Sequence, residues 1–188
     1  SGAPAVWSEV PGNVALDWGD PTSPATDAAF AAAAHVETVR LVDTRLAVVA
    51  MEPRAAIASY DATNGRYGLV APTQGVAIIR RVLSEFVFKV PAETIRVQTY
   101  DVGGGFGMKA QAYVEYAGLL FAARKVGRPV RWTATRLESF LGDSAGRDGI
   151  LEGELALDAN GRFLALRMRS SVGIGAYTTQ FSSIFTTT

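Results

Sequence analysis

Residues 101–109, Asp101-Val-Gly-Gly-Gly-Phe-Gly-Met-Lys109, place four glycines in five positions between two regularly patterned segments. Ile95-Arg-Val-Gln-Thr-Tyr100 before them alternates like a strand, and the run from Tyr113 to Val126 after them has the apolar period of a helix. Glycine reaches backbone conformations closed to other residues and lets a ligand approach the main chain. A glycine run between strand and helix can therefore aim several N–H groups at an anion, helped by the helix N-terminus. Phe106 is the odd member of the loop, and a rigid ring pressed against a flat ligand or a reaction centre accounts for it. The plainer alternative is a turn that only lets the helix pack close to the strand. The spacing matches no common phosphate loop. Counted from Gly103 and Gly105, the third glycine of G-x-G-x-x-G falls on Met108, and Met108-Lys109-Ala110 does not complete a Walker loop.

Several elements must position this loop. The residues before 25 are rich in Pro and Gly, carry Trp7 and Trp18, and are expected to be an extended segment over 1–24, ahead of a domain over 25–188. A short alanine-rich helix is expected from Asp27 to Ala34 with Thr26 as its N-cap, followed by a strand over Val36 to Val42. Asp61-Ala-Thr-Asn-Gly-Arg66 and Asp158-Ala-Asn-Gly161 carry hairpin turn chemistry between strand-like runs. From Gly75 to Phe86 the apolar residues Val76, Ile79, Leu83 and Phe86 fall on one helical face. Gly127 with Pro129 stops the helix that begins at about Tyr113, and Val130 to Ala134 reads as the next strand. Strands and helices intermix in a mainly antiparallel plan, which predicts an α+β fold with two or three packed helices.

Composition narrows the chemistry. Among 188 residues there is no cysteine and one histidine, so disulfides, thiolate-held zinc or iron–sulfur clusters and multi-histidine metal sites are excluded for this chain. His35, set among alanines, reads as structural. A formal net charge of +0 leaves no electrostatic footprint for nucleic acid. No apolar run is long enough to span a membrane and no signal-peptide pattern is present, so a cytoplasmic protein is expected. Ser1-Gly-Ala-Pro4 and the uncapped Phe181 to Thr188 suggest a fragment, truncated at the C-terminus.

Charged residues offer secondary candidates. Glu52 and Arg54 read as a buried ion pair that orients a strand, with a functional pair as the alternative. Arg147 and Asp148 suit an anion site or a structural salt bridge equally, and Lys109 suits either a phosphate or a carbonyl cap. Tyr113 and Tyr116 read as helix packing.

The motifs also form an ordered series. Met51-Glu-Pro-Arg54, Ala71-Pro-Thr-Gln-Gly75, the glycine loop, Gly127-Arg-Pro-Val-Arg-Trp132, Ala145-Gly-Arg-Asp148 and Gly153 to Arg162 follow one another. In residues 28–177 this series resembles the molybdenum-cofactor-binding large chain of the xanthine oxidase and aldehyde oxidase family, with the carbon-monoxide-dehydrogenase-type branch nearest. The resemblance implies a molybdenum–pterin cofactor, including a cytosine dinucleotide form, whose dithiolene sulfurs hold the metal so that the protein supplies no ligand. It implies oxidative hydroxylation of a small-molecule substrate in a full-length enzyme. Electrons then pass to iron–sulfur and FAD subunits or domains, and the remainder of the large subunit encloses the site. By matched position, Gln74 implies an amide donor to a molybdenum oxo group, the alternative being a helix cap. Gly103, Gly104, Gly105, Phe106 and Gly107 imply the cofactor-binding loop, with Phe106 beside the reaction centre and the Gly107 N–H close to the cofactor. Ala110 stands where several relatives carry a glutamate that assists substrate binding, which weighs against a purine. The family's catalytic glutamate falls outside this chain, so the isolated fragment is expected to be inactive. A non-catalytic binding or assembly domain that keeps the fold without the chemistry is the rival reading.

Overall fold

A computed structural model describes residues 3–19 and 23–177, so Phe181 to Thr188 lie outside the described residues. The fold is α+β and the chain divides into two compact units, residues 47–146 and a second unit of 1–46 with 147–188.

The central unit is built on a four-stranded sheet in the order β4-β3-β2-β5. Strands β2 (Ala55–Asp61) and β3 (Arg66–Val70) form the expected hairpin, with Tyr60 opposite Tyr67. Its turn closes because the Asp61 carboxylate accepts from the Thr63 N–H at 2.9 Å and from the Asn64 side chain at 2.7 Å, while Gly65 takes φ +69°. Strand β5 (Val130–Thr133) pairs antiparallel to β2. Strand β4 (Ile95–Gln98) runs parallel to β3. A parallel neighbour needs a crossover helix, and α2 (Val76–Arg81) with the turns that follow supplies it. Alternate residues of the strands, Ala56, Ala58, Tyr67, Leu69, Ile95 and Val97, face one buried layer with Ile79 and Leu83. Helix α3 (Val114–Val126) closes this layer through Tyr116, Leu119, Leu120 and Ala123. It lies over β2, where alanine at positions 56 and 58 leaves room for a close approach. Gly127 ends α3 in the left-handed region at φ +63°, and Arg124 and Lys125 sit in its last turn, where cations suit the helix dipole.

Two local expectations for this unit change. The helix beginning after Gly75 does not continue as a regular α-helix to Phe86: from Val82 to Phe88 it widens into a π-helical turn that ends at Lys89 in the left-handed region. Widening shifts the angular position of every later side chain. Leu83 and Ser84 stay buried, Phe86 swings out to 66% exposure, and Phe88 packs its ring 5.0 Å from that of Tyr67 instead. Helix α4 (Arg136–Gly142) was not expected from apolar periodicity, because it is too short to show a period. It starts on a capping box: the Thr135 side chain accepts from the Glu138 N–H at 3.2 Å, and the Glu138 carboxylate accepts from the Thr135 N–H at 2.7 Å.

The second unit is a three-stranded antiparallel sheet, β1-β6-β7, of β1 (His35–Asp43), β6 (Gly149–Leu157) and β7 (Phe163–Val172). Helix α1 (Pro24–Ala32) packs on β7, with the Arg167 guanidinium over the Phe30 ring and paired to Asp27. Its N-cap is Ser23, not Thr26. The Ser23 hydroxyl accepts from the Thr26 N–H, and Pro24 occupies the first helical position, where a missing N–H costs nothing. In the N-terminal segment, the Trp7 indole N–H donates to the Ala176 carbonyl at 2.6 Å. Arg147 lies 3.7 Å from Asp43, and Asp148 accepts from Arg45 at 3.1 Å, so these two residues of the Ala-Gly-Arg-Asp motif enter separate, exposed ion pairs. Among the described residues no helix is long and apolar enough to cross a membrane.

Candidate functional site

The glycine loop leaves β4 at Gln98 and reaches α3 only after a short 3-10 turn, Met108–Ala110, and an extended stretch to Tyr113. Helix α3 starts at Val114, close to the expected Tyr113, but its N-terminus does not cap the loop, contrary to the expectation that it helps aim the loop's N–H groups. The Tyr113 hydroxyl anchors the intervening stretch by donating to the Met108 carbonyl at 2.8 Å.

Each glycine of the loop has its own physical cause. Gly104 and Gly107 take φ +93° and +87°, a region that penalises any Cβ. Gly103 and Gly105 are required by contact. A Cβ on Gly103 would stand 2.5 Å from the Glu52 Cβ, and one on Gly105 would stand 2.3 Å from Gln74 Oε1. The Gln74 side chain thus lies directly on the loop. Its Oε1 accepts from the Gly107 N–H at 2.9 Å, and only an oxygen can accept from that N–H, so the amide nitrogen Nε2 is turned away from this bond.

Sequence reasoning missed this bond. The resemblance places the Gly107 N–H at the cofactor, whereas here it holds Gln74. Gln74 itself precedes Gly75, the N-cap of α2, and its N–H donates to the Lys109 carbonyl at 3.2 Å. The loop and the start of α2 are therefore joined twice, by backbone and by side chain. Phe106 sits at φ +51° with 78% of its surface exposed. A bulky residue in the left-handed region stores about 1–2 kcal/mol of strain, which the bonds on either side must hold. The exposed ring has little packing to lose, so it adds little to the stability of the fold.

The donors gathered here are of one kind. Among the described residues, Gln74 Nε2 and the N–H groups of Gly104, Gly105 and Phe106 have no hydrogen-bond partner. Gly107 opens on free space, with nothing within 4 Å of where a Cβ would stand. Unpartnered donors on one loop that also carries an exposed aromatic ring suit a ligand rich in acceptor oxygens or sulfurs. The nearest carboxylate, that of Glu52, is already engaged by Lys109 Nζ at 2.7 Å and the Gly103 N–H at 2.8 Å. A shallow groove lined by Glu52, Pro72, Tyr100, Asp101 and Trp132 begins behind the loop but includes neither Gln74 nor Phe106, which lie on open surface.

Glu52 and Arg54, expected to pair with each other, belong to different networks. Two residues apart, they would share one face of a regular strand, but the chain bends at Met51–Glu52 before β2, and Glu52 bonds to Gly103 and Lys109 while Arg54 bonds to Glu115 and Asp143. Arg54, 1% exposed, donates from Nε to Asp143 at 2.5 Å and from both terminal nitrogens to Glu115 at 2.9 Å. Its guanidinium lies 3.7 Å from the centre of the Tyr113 ring. Burial alone would lower the Arg54 pKa, but the bonds to Glu115 and Asp143 outweigh it and raise it. Burial pushes the Tyr116 hydroxyl up to about 12, so Tyr116 remains a neutral packing residue.

The carboxylates respond oppositely. Burial pushes Glu52 and Glu115 up, yet the donors Lys109 and Gly103 for the first, and Arg54 for the second, bring both below the ordinary 4.5. A lowered folded-state pKa adds stability that is present above the unfolded value and lost as pH falls through the folded one. Unfolding free energy is therefore expected to be insensitive to these groups above about pH 5 and to fall below 4.5. Urea titrations across pH 3–6 check this, with Glu115→Gln flattening the acid limb; an unchanged limb would exclude Glu115 as its source.

Known proteins are similar to this chain in sequence and fold. The profile of the molybdopterin cofactor-binding domain family matches residues 6–188. The chain is 31% identical over 165 residues to the carbon monoxide dehydrogenase large chain of Hydrogenophaga pseudoflava, covering 88% of this chain and 20% of that one. It is 34% identical over 151 residues to the 6-hydroxypseudooxynicotine dehydrogenase complex subunit gamma of Paenarthrobacter nicotinovorans, covering 80% and 19%. The structure of quinoline 2-oxidoreductase from Pseudomonas putida 86 matches with a TM-score of 0.75 at 37% identity, over 81% of this chain and 19% of that one. The chain spans about a fifth of the length of these relatives. From the donor-lined glycine loop and a profile match over nearly its whole length, this chain belongs to the molybdopterin cofactor-binding domain family.

Proposed function

We propose that this chain supplies one wall of the molybdenum–pterin site in the large subunit of a molybdenum hydroxylase, an oxidoreductase of the carbon-monoxide-dehydrogenase-like or aldehyde-oxidase-like kind. The observation that carries this reading is the pinned Gln74: its oxygen is held by the Gly107 N–H, so its nitrogen is left to donate. The bound cofactor, with a cytosine dinucleotide as its extended form, supplies the two-electron redox chemistry. Gln74 Nε2 offers it a fixed dipole that does not titrate, and the N–H groups of Gly104, Gly105 and Phe106 add donors at the loop. The Phe106 ring orients a small substrate and excludes water from one side of it. Residues 25–188 form the first part of the cofactor-binding region, behind the segment 1–24. The remainder of the large subunit completes the pocket, and iron–sulfur and FAD subunits or domains accept the electrons in a cytoplasmic enzyme.

Since one wall cannot enclose a bulky charged pterin, the isolated 188-residue chain should bind none, while the full-length protein should contain about one molybdenum per chain. Elemental analysis of both decides; a full-length protein free of molybdenum supports an assembly or binding domain instead. Gly105→Ala provides a check on the wall itself. Its methyl would overlap Gln74 and force that side chain off the loop, so turnover per molybdenum should fall by roughly the hundredfold associated with one preorganised donor. Steady-state kinetics normalised to molybdenum content tests it, and full activity in this variant would show that the Gln74 position is immaterial.

A further inference from the structure

Lys109 is the only buried lysine among the described residues, 0% exposed, and among those residues its ammonium bonds only to Glu52. We propose that Glu52 and Lys109 form a clasp that sets the register of the glycine loop against Gln74, making both positioning residues. This deepens the functional reading above and rests on it. A single oxygen, Glu52 Oε2, accepts from Lys109 Nζ at 2.7 Å and from the Gly103 N–H at 2.8 Å. The first glycine of the loop and the lysine that ends it are thereby tied to one point. The Glu52 N–H also donates to the Gly103 carbonyl at 3.2 Å, so Glu52 holds Gly103 from both sides of its peptide.

The other end of the clasp reaches the donor. The Lys109 carbonyl accepts from the Thr73 hydroxyl at 2.7 Å and from the Gln74 N–H at 3.2 Å, and Thr73 Oγ1 in turn accepts from the Gly75 N–H. Glu52, Lys109, Thr73 and Gln74 thus form one continuous path around the loop that carries Phe106 at its strained φ. An apolar residue in place of the buried Lys109 would serve stability alone at least as well, because desolvating its charge offsets most of the attraction to the partly exposed Glu52. What an apolar residue there cannot do is fix both loop ends to the same atom.

The test uses the full-length protein and the variants Glu52→Gln, Lys109→Met and the double variant. Amide hydrogen exchange by mass spectrometry follows residues 101–111 against α3 as an internal reference. In Glu52→Gln, exchange in residues 101–111 should rise at least about tenfold while α3 is unchanged, and turnover per molybdenum should fall with KM held. The double variant removes the stranded charge, so its thermal stability should return towards wild type while turnover per molybdenum stays low. A merely structural pair would instead speed exchange in α3 together with the loop, and the double variant would recover stability and turnover alike; either result overturns the clasp. The exchange measurement does not depend on cofactor, so a clasp that fails in a molybdenum-replete protein is distinguishable from a protein that carries no molybdenum at all.

Discussion

Gln74→Ala is expected to lower turnover per bound molybdenum about a hundredfold, the consequence of losing roughly 3 kcal/mol of stabilisation from one preorganised donor in a shielded site. The fold should not follow. Gln74 is exposed and lies outside α2, whose attachment comes from the buried Ile79 and Leu83. One local cost is expected: the Gly107 N–H loses its acceptor, and the left-handed turn at Phe106 and Gly107 loosens. Gln74→Glu separates the two roles of the side chain. It keeps an oxygen for Gly107 but replaces the outward donor by an acceptor, so the loop should stay ordered while turnover falls as in the alanine variant. Kinetics normalised to molybdenum, with melting curves on each variant, decide. If Gln74→Ala retains full turnover, the residue only organises the loop and the proposed wall is wrong.

Arg54→Ala should have the largest effect on stability, about 3–5 kcal/mol, because removing one partner of a buried ionic network strands the other. The Asp143 side chain is almost fully buried, and its second oxygen already lacks a partner among the described residues. Without the guanidinium, that carboxylate and Glu115 would face each other across a void beside Tyr113 and Trp132. Arg54→Lys should rescue little. A single ammonium cannot repeat the paired bonds to Glu115 and the bond to Asp143, nor lie flat on the Tyr113 ring. Chemical denaturation of the full-length protein measures both. A loss below about 1 kcal/mol for the alanine variant would mean that the network relaxes to admit water, as an exposed pair would.

Much of this molecule is legible from local sequence because its causes are local. The hairpins follow from Asp and Gly at fixed turn positions, α3 from its apolar period and its Gly127 stop, and the strands from alternation. The ordered motifs identify the family and place the glycine loop between strand and helix. Even a local signal can pass unread: Thr135 and Glu138 spell a capping box, yet α4 is too short for periodicity to mark it.

Tertiary structure decided the rest, since pairing partners distant in sequence cannot be read from spacing. Lys109 and Glu52 are 57 positions apart, and Arg54 and Asp143 are 89 apart. Proximity in sequence instead suggested that Glu52 and Arg54 pair, although each is taken by partners that other elements bring in, Lys109 and Gly103 for the first and Glu115 and Asp143 for the second. The glycines show the same division. A positive φ at Gly104 and Gly107 is a backbone property that the glycine run itself announces. The need for glycine at 103 and 105 arises only because Glu52 and Gln74, brought in by other elements, occupy the space a Cβ would fill.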